Sequence, residues 1–181
     1  MIEKKLIDEC REGNLNNFRK VIEITSPFAF SVAFRMLGHE EQAQDIVQDT
    51  MVTIWKKLRK IKSSESYKTW VYKIVVNKCN DQLRRRKRQS ELRLDDQGWA
   101  LIANHISEET TSEIENKEIA RIVNLLTQKL SPKQKTVFVL SELEEMSNDE
   151  ISRITGMSKT IIKANLYYGR KHIAGLIEKY L

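Results

Sequence analysis

Apolar residues recur at helical spacing along most of the chain, and no stretch alternates as a half-buried strand would. Ser26–Pro27 offers an N-cap followed by proline at a first helical position; Phe30, Phe34 and Leu37 then share a face until Gly38 stops the run. Ile46, Val47, Thr50, Met51, Ile54, Trp55 and Leu58 step by threes and fours, which predicts a long amphipathic helix. Beyond the polar break Ser63–Ser64–Glu65–Ser66, the residues Trp70, Val71, Ile74, Val75 and Leu83 mark another. Near the C-terminus, Ser131–Pro132–Lys133–Gln134 and Ser147–Asn148–Asp149–Glu150 each pair an N-cap serine with Gln or Glu three positions on, the signature of a capping box. The second box opens a short helix, Asp149 to Thr155, closed by Gly156, and Ser158 caps the next. A short helix, a glycine turn and a second capped helix form the layout of a helix-turn-helix. Ile151, Ile154, Met157, Ile162 and Leu166 would join its two helices, leaving Lys159, Thr160, Lys163, Ala164, Tyr167 and Tyr168 to face a major groove.

Between these regions, Gln89 to Lys117 has sparse hydrophobics without a sustained period, with a helical turn expected only around Trp99–Ile102, and reads as a linker. The fold expected is therefore all-α: two small helical domains, residues 1–88 and 118–181, joined by a flexible acidic linker, residues 89–117.

Charge sharpens this division. The whole chain of 181 residues carries +6, but residues 56–88 hold 13 basic and 2 acidic side chains, a net of +11. Residues 89–118 hold 2 basic and 8 acidic, a net of −6. A block so dense in cations is the footprint of a surface that meets phosphate, although a solvated lysine face or a flexible basic arm has the same composition. Two cysteines 69 residues apart without CxxC, and three scattered histidines, give no disulfide framework and no metal spacing. The N-terminus lacks the apolar core of a signal peptide, and the longest uncharged run, Ile24 to Phe34, is too short to span a bilayer, so a cytoplasmic protein is expected.

Two blocks carry a family resemblance. The run EEQAQDIVQDTMVTIWKKL followed by YKTWVYKIVVNKCNDQLRRRKR resembles region 2 of the extracytoplasmic-function sigma factors of bacterial RNA polymerase. The run LSPKQKTVFVLSELEEMSNDEISRITGMSKTIIKANLYYGRKHI resembles their region 4. With the helix from Phe28 to Leu37, the match covers roughly two-thirds of the chain. It implies a region 2 helical bundle and a region 4 helix-turn-helix in an alternative sigma factor, which binds core polymerase and directs initiation at promoters with particular −10 and −35 elements.

The resemblance also implies roles. Asp45, Gln48 and Asp49, with Val52 and Trp55 further along the helix, correspond to the segment that docks on the polymerase β and β′ subunits, where a row of carboxylate and amide can receive arginines. Lys62, Ser63, Ser64, Glu65, Ser66, Tyr67, Lys68 and Trp70 correspond to the part that reads the −10 element. Unstacking a base costs a few kcal/mol, and stacking it on Tyr67 or Trp70 recovers about 1–3 kcal/mol; packing in the core is the competing role for Trp70. Asn77, Asp81, Arg84 and Arg85 match the helix that follows, where Asp81 could instead pair with Arg84 or Arg85. Lys56, Lys57, Arg59, Lys60, Lys73, Lys78 and Arg84 to Arg88 would supply phosphate contacts; about six would give a slope of log K against log salt near −5. In region 4, Lys163 is the expected base reader and Tyr167 packs on a thymine methyl or a phosphate, while Ser158, Lys159, Thr160 and Arg170 position the backbone beside Ala164 and Tyr168. Ile161 and Tyr168 depart from the Thr and Arg common in the family, which leaves the −35 sequence open. Promoter DNA, core polymerase and an anti-sigma factor are the implied partners, with no small-molecule substrate, cofactor, metal or catalytic residue.

Two other classes fit parts of the chain. A helix-turn-helix regulator that acts without replacing a sigma subunit explains residues 131–173 but not the +11 block. A small nucleic-acid enzyme would need a catalytic carboxylate pair, HxE with CxxC, or a Walker loop; the chain has neither HxE with CxxC nor a Walker loop, and Asp95–Asp96 in the linker, the pair that tempts, reads as solvated acidic linker.

Overall fold

The computed structural model describes residues 6, 9, 10, 15–58, 65–90 and 122–180. Among them every element is helical and none is a strand. Three long helices form the N-terminal half: α1 (Leu15–Leu37), α2 (Glu40–Lys57) and α3 (Glu65–Ser90). The C-terminal half contains α4 (residues 122–128), α5 (Pro132–Phe138), a π-helical turn (Val139–Leu143), α6 (Asn148–Thr155) and α7 (Lys159–Tyr180). The stretch read as an acidic linker lies outside the described residues apart from its first two positions, which belong to α3, and so does the turn expected around Trp99–Ile102.

The start read at Ser26–Pro27 is not a helix start. Helix α1 begins at Leu15 and passes through Pro27 without a break. A proline inside a helix forfeits one hydrogen bond and costs about 3 kcal/mol. Val21 and Thr25 before it, and Ala29, Val32, Ala33 and Met36 after it, are all fully buried on one continuous stripe. Burial of Val, Met and their like gives roughly 1.5–3 kcal/mol each, so the stripe outweighs the proline. Pro27 itself sits on the exposed face. The helix ends where Gly38 takes φ +66 and its N–H reaches the Phe34 carbonyl at 2.8 Å.

Both capping boxes form. Ser131 and Gln134 bond reciprocally at the start of α5, as do Ser147 and Glu150 at the start of α6. Gly156 closes α6 in the left-handed conformation, φ 73. Ile151, Ile154 and Ile162 are buried, with Met157 and Leu166 packed against the same core, which completes the helix-turn-helix.

The two halves are packed on each other rather than held apart. A single apolar cluster runs from Val32, Met36, Ile54, Val71 and Val75 to Val137, Leu140, Ile151 and Ile162. Helix α3 lies against α5 and α6, and α1 against the π turn.

Candidate nucleic-acid interface

Helix α2 is two-faced. Ala43, Ile46, Thr50, Met51 and Ile54 are buried, and the Thr50 hydroxyl is satisfied by the Ile46 carbonyl at 2.7 Å. Asp45, Gln48 and Asp49 are exposed on the opposite side, followed one turn on by Val52 at 51% and then Trp55 at 43% exposure. Trp55 is held edge-on by Phe18, with ring centroids 4.6 Å apart. The row therefore combines acceptors with an apolar end, the composition that suits a basic, partly apolar partner helix. Asp49 is also met by Lys78 of α3 at 3.2 Å.

The expectations for α3 divide. Lys62, Ser63 and Ser64 lie outside the described residues, and Glu65 and Ser66 belong to the helix although their side chains are not described. Tyr67 is not a base platform. It is 2% exposed, and its hydroxyl meets that of Thr25 at 2.9 Å. Burial pushes the phenol up to about 12. The reason is register: Tyr67, Val71 and Val75 stand four residues apart and enter the core together. The sequence held that signal, since the same spacing marks the apolar stripe. Trp70 is half-buried against this core, its ring centroid 6.2 Å from that of Tyr67. Lys68 is exposed and sits 5.7 Å above the Tyr72 ring. Asn77, Asp81, Arg84 and Arg85 are all exposed, and Asp81 pairs with Arg84 at 3.3 Å.

Arg86 departs from its neighbours. It turns inward, donating to the Leu37 carbonyl at the end of α1 at 2.8 Å and to the side chain of Gln42. A guanidinium there satisfies an orphan helix carbonyl and complements the negative end of the α1 dipole. It is therefore a structural arginine, and no longer counts among the phosphate contacts expected from Arg84 to Arg88. The side chains of Lys87 and Arg88 are not described.

On α7, Lys159, Thr160, Lys163, Ala164, Tyr167, Tyr168 and Arg170 are exposed, as a groove-facing surface requires. Ser158 caps the helix by accepting from the Ile161 N–H at 3.4 Å. Lys159 is steadied by Asp149 at 2.6 Å, and that hydrogen bond and charge hold the Asp149 carboxyl below its ordinary range. Arg170 binds Glu142 at 2.7 Å, while no contact ties down Lys163 among the described residues. Tyr167 and Tyr168 stand edge to face, ring centroids 5.3 Å apart.

The junction between the halves contains residues that periodicity did not single out. Glu144, at the end of the π turn, accepts from Arg35 at 2.6 Å, from the Tyr72 hydroxyl at 3.0 Å and from Ser31 at 3.3 Å. Arg35 also donates to the Leu143 carbonyl. Burial and the Glu144 charge drive the Tyr72 phenol upward. At a second point Thr136 donates to Asn80 at 3.1 Å, and the buried Lys135 donates to Gln128 at 2.7 Å. A groove of about 770 Å³ opens beside it, lined by Asn77, Asp81 and Arg84 on α3 and by Thr155, Met157 and Asn165 of the helix-turn-helix.

Among the described residues no helix is long and apolar enough to cross a membrane. Residues 21–89 match the Sigma-70 region 2 family, and residues 120–173 match the Sigma-70 region 4 family. The chain is 24% identical over 176 residues to the ECF RNA polymerase sigma factor SigW of Bacillus subtilis, covering 94% of each. It is 25% identical to the RNA polymerase sigma factor CnrH of Cupriavidus metallidurans, covering 97% of this chain and 94% of that one. Among solved structures, CnrH in complex with the cytosolic domain of CnrY aligns with a TM-score of 0.68 at 22% identity over 97% of both chains. The sigma factor RpoE of Bartonella quintana, in complex with the anti-sigma factor NepR, aligns at 0.65 and 18% identity, over 91% of this chain and 98% of that one. With both regions present in order on an all-helical fold, the chain belongs to the extracytoplasmic-function group of sigma factors, the alternative sigma subunits that direct transcription initiation.

Proposed function

We propose that this sigma factor docks on the β and β′ subunits of core polymerase through the outer face of α2, reads and opens the −10 element with α3 and the loop before it, and reads the −35 element with α7. The observation that carries this reading is the exposed row Asp45, Gln48, Asp49, Val52 and Trp55 on a helix whose other face is fully buried. A regulator that binds duplex DNA alone has no use for it. The three residues Asp45, Gln48 and Asp49 receive basic side chains of the polymerase, and Val52 with Trp55 supplies apolar contact beyond them.

At the −10 element, Lys68, Arg84 and Arg85 meet phosphate, Asn77 meets a base or the backbone, and the exposed edge of Trp70 is the available stacking surface. Tyr67 supports this helix from within the core. At the −35 element Lys163, unengaged and one turn inside α7, reads a base edge; Ser158, Lys159, Thr160 and Arg170 set the phosphate register, with Ala164, Tyr167 and Tyr168 lining the groove. Functional modules of residues 1–88 and 118–181, with 89–117 between them, fit this division of labour. The protein acts as a binding subunit in the cytoplasm, without chemistry, cofactor or small-molecule substrate. An anti-sigma factor that covers these faces is its expected regulator, the class of partner found on RpoE of Bartonella quintana.

The test is reconstitution. Purified chain, core polymerase and promoter fragments should yield transcripts from a defined position, and Asp45→Ala should weaken core binding by about 10- to 100-fold, at about 1.5–3 kcal/mol for a hydrogen bond to charge. A chain that binds duplex DNA yet never restores initiation would point to the regulator instead.

A further inference from the structure

Helices α5, α6 and α7 each open on a serine cap, and they differ at one position. In α5 and α6 the third residue after the cap is Gln134 or Glu150, whose side chain reaches back to the backbone N–H of the cap and closes a capping box. In α7 the cap is Ser158, which accepts from the backbone N–H of the third residue at 3.4 Å, and that residue is Ile161. An isoleucine cannot return the bond, and its β-branched side chain loses rotamer freedom in a helix. Nor does the core claim it: Ile161 is 46% exposed, while Ile162 beside it is fully buried. Folding gives no reason for a branched apolar side chain here, in the first turn of the helix that faces the groove.

The surroundings of Ile161 point to a ligand. Ile161, Ala164 and Tyr168 follow one another at three- and four-residue steps and are all exposed, so they form one uncharged row along α7. Lys159, Lys163 and Arg170 form a cationic file beside it. On the other side of the row the amide of Asn165 is turned back on its own helix, donating to the Ile161 carbonyl at 2.8 Å. What this row offers a partner is therefore methyl groups and a phenol ring, next to positive charge. The major groove of a duplex has the matching composition, with thymine 5-methyl groups on its floor and phosphates along its walls. The flanking cations favour that polyanion over an apolar protein surface.

We propose that Ile161 is a specificity-determining residue: its side chain packs on the 5-methyl group of a thymine in the −35 element, with the Ala164 methyl against a base close by. The proposal rests on the assignment of α7 to that element, and it adds to Lys163 a second reader that uses no hydrogen bond. Residues one helical turn apart stand about 5–6 Å from each other at Cβ, against about 3.4 Å per base step, so the two contacts fall on neighbouring or next-neighbouring pairs. Thymine alone among the four bases carries the methyl, so an apolar contact selects it over the other three on that strand. A glutamate at this position would complete the capping box but set a carboxylate against phosphate. Helix α7 forgoes that local stability where it does its reading, as functional positions commonly do.

Methyl deletion on the DNA tests this. Holoenzyme reconstituted from the full chain and core polymerase selects promoter fragments from a pool randomised across the −35 region, and the selected fragments are remade with deoxyuridine in place of each thymidine in turn. Uracil pairs as thymine does and lacks only the methyl. With the wild-type chain, at least one position should lose about fourfold in competition binding, as removal of one methyl-sized apolar contact implies. Ile161→Ala and Ile161→Gln should bind the thymine and uracil fragments alike at that position, whereas Lys163→Ala should bind both more weakly and keep the fourfold ratio. Ile161→Gln, which supplies the residue type that closes the box in α5, should keep or raise the urea midpoint, so a lost ratio is not a lost fold. The absence of any uracil-sensitive position overturns the proposal, as does a ratio that survives both Ile161 variants at every sensitive position. An Ile161→Ala chain that binds core polymerase more weakly without DNA also overturns it, since the side chain then serves a protein contact. A pool from which no −35 sequence is enriched, with Lys163→Ala equally silent, strikes instead at α7 as the −35 reader.

Discussion

Lys135 offers a quantitative test of the junction. The residue is 3% exposed, and among the described residues its ammonium makes one hydrogen bond, to the Gln128 amide oxygen at 2.7 Å. Burial first, and the positive charge of Arg86 second, pull its pKa from 10.5 down to about 8. At pH 7 the lysine is protonated in both the folded and the unfolded chain, so the folded state bears the full cost of the buried charge. At 1.36 kcal/mol for each tenfold change in proton affinity, that cost is roughly 3 kcal/mol. Between about pH 8 and 10.5 the unfolded chain binds a proton that the folded chain has released, so stability rises with pH in this window. Replacing Lys135 by Met keeps the apolar stem, removes the charge and sacrifices one hydrogen bond worth about 1 kcal/mol. The net expectation is that Lys135→Met stabilises the protein by about 2 kcal/mol at pH 7, and that the advantage shrinks by about 2 kcal/mol by pH 9.5. Urea unfolding of variant and wild type side by side at both pH values measures it, since every other titrating group cancels in the difference. A difference that does not change with pH, or a variant less stable than wild type at pH 7, would refute the reasoning.

Three further outcomes follow from single contacts. Tyr67→Phe removes only the hydroxyl facing Thr25, so it should cost about 1 kcal/mol in urea unfolding while leaving permanganate-detected opening of the −10 region unchanged. Gly38→Ala places a methyl 2.9 Å from the end of the Gln128 side chain at φ +66; a loss of about 1–2 kcal/mol is expected in the same unfolding assay, because the displaced amide is also the acceptor for Lys135. Lys163→Ala should weaken binding of a −35 fragment by about 1–3 kcal/mol and relax preference at one base pair, read by competition with a fragment series, whereas a uniform loss across the series would mark it as a phosphate contact.

What the sequence made legible was local. The helix-turn-helix was readable because Ser147, Glu150, Gly156 and Ser158 fix its ends within a dozen residues, and the Ile151–Ile154–Ile162 stripe fixes its inner face. The outer row of α2 followed from the same periodicity. Pro27 misled because a strong local signal was overruled by a stripe on both sides of it. Tyr67 misled for the opposite reason: its functional company in the preceding loop obscured its register with Val71 and Val75. Arg86 looked like one cation among five, and only its fold partner, a carbonyl 49 residues earlier, separates it from the rest.

The junction was illegible for a deeper reason. Glu144 and Arg35 stand 109 residues apart, and neither disturbs the apolar period of its own helix. The polar part of the seam, Glu144, Tyr72, Asn80 and Thr136, adds no stripe for a sequence to display, and the apolar residues that join the halves, Val75 and Val137 among them, read as ordinary members of their own helices' buried faces. That invisibility has a physical counterpart. Apolar contacts across the seam extend stripes that each helix needs for its own packing, whereas a polar contact is satisfied by a local partner or a distant one alike. Thr136 shows it well: its hydroxyl lies 2.8 Å from the Pro132 carbonyl of its own helix and 3.1 Å from the Asn80 amide oxygen across the seam, sharing one hydrogen between them, and the local bond is the one its sequence context announces.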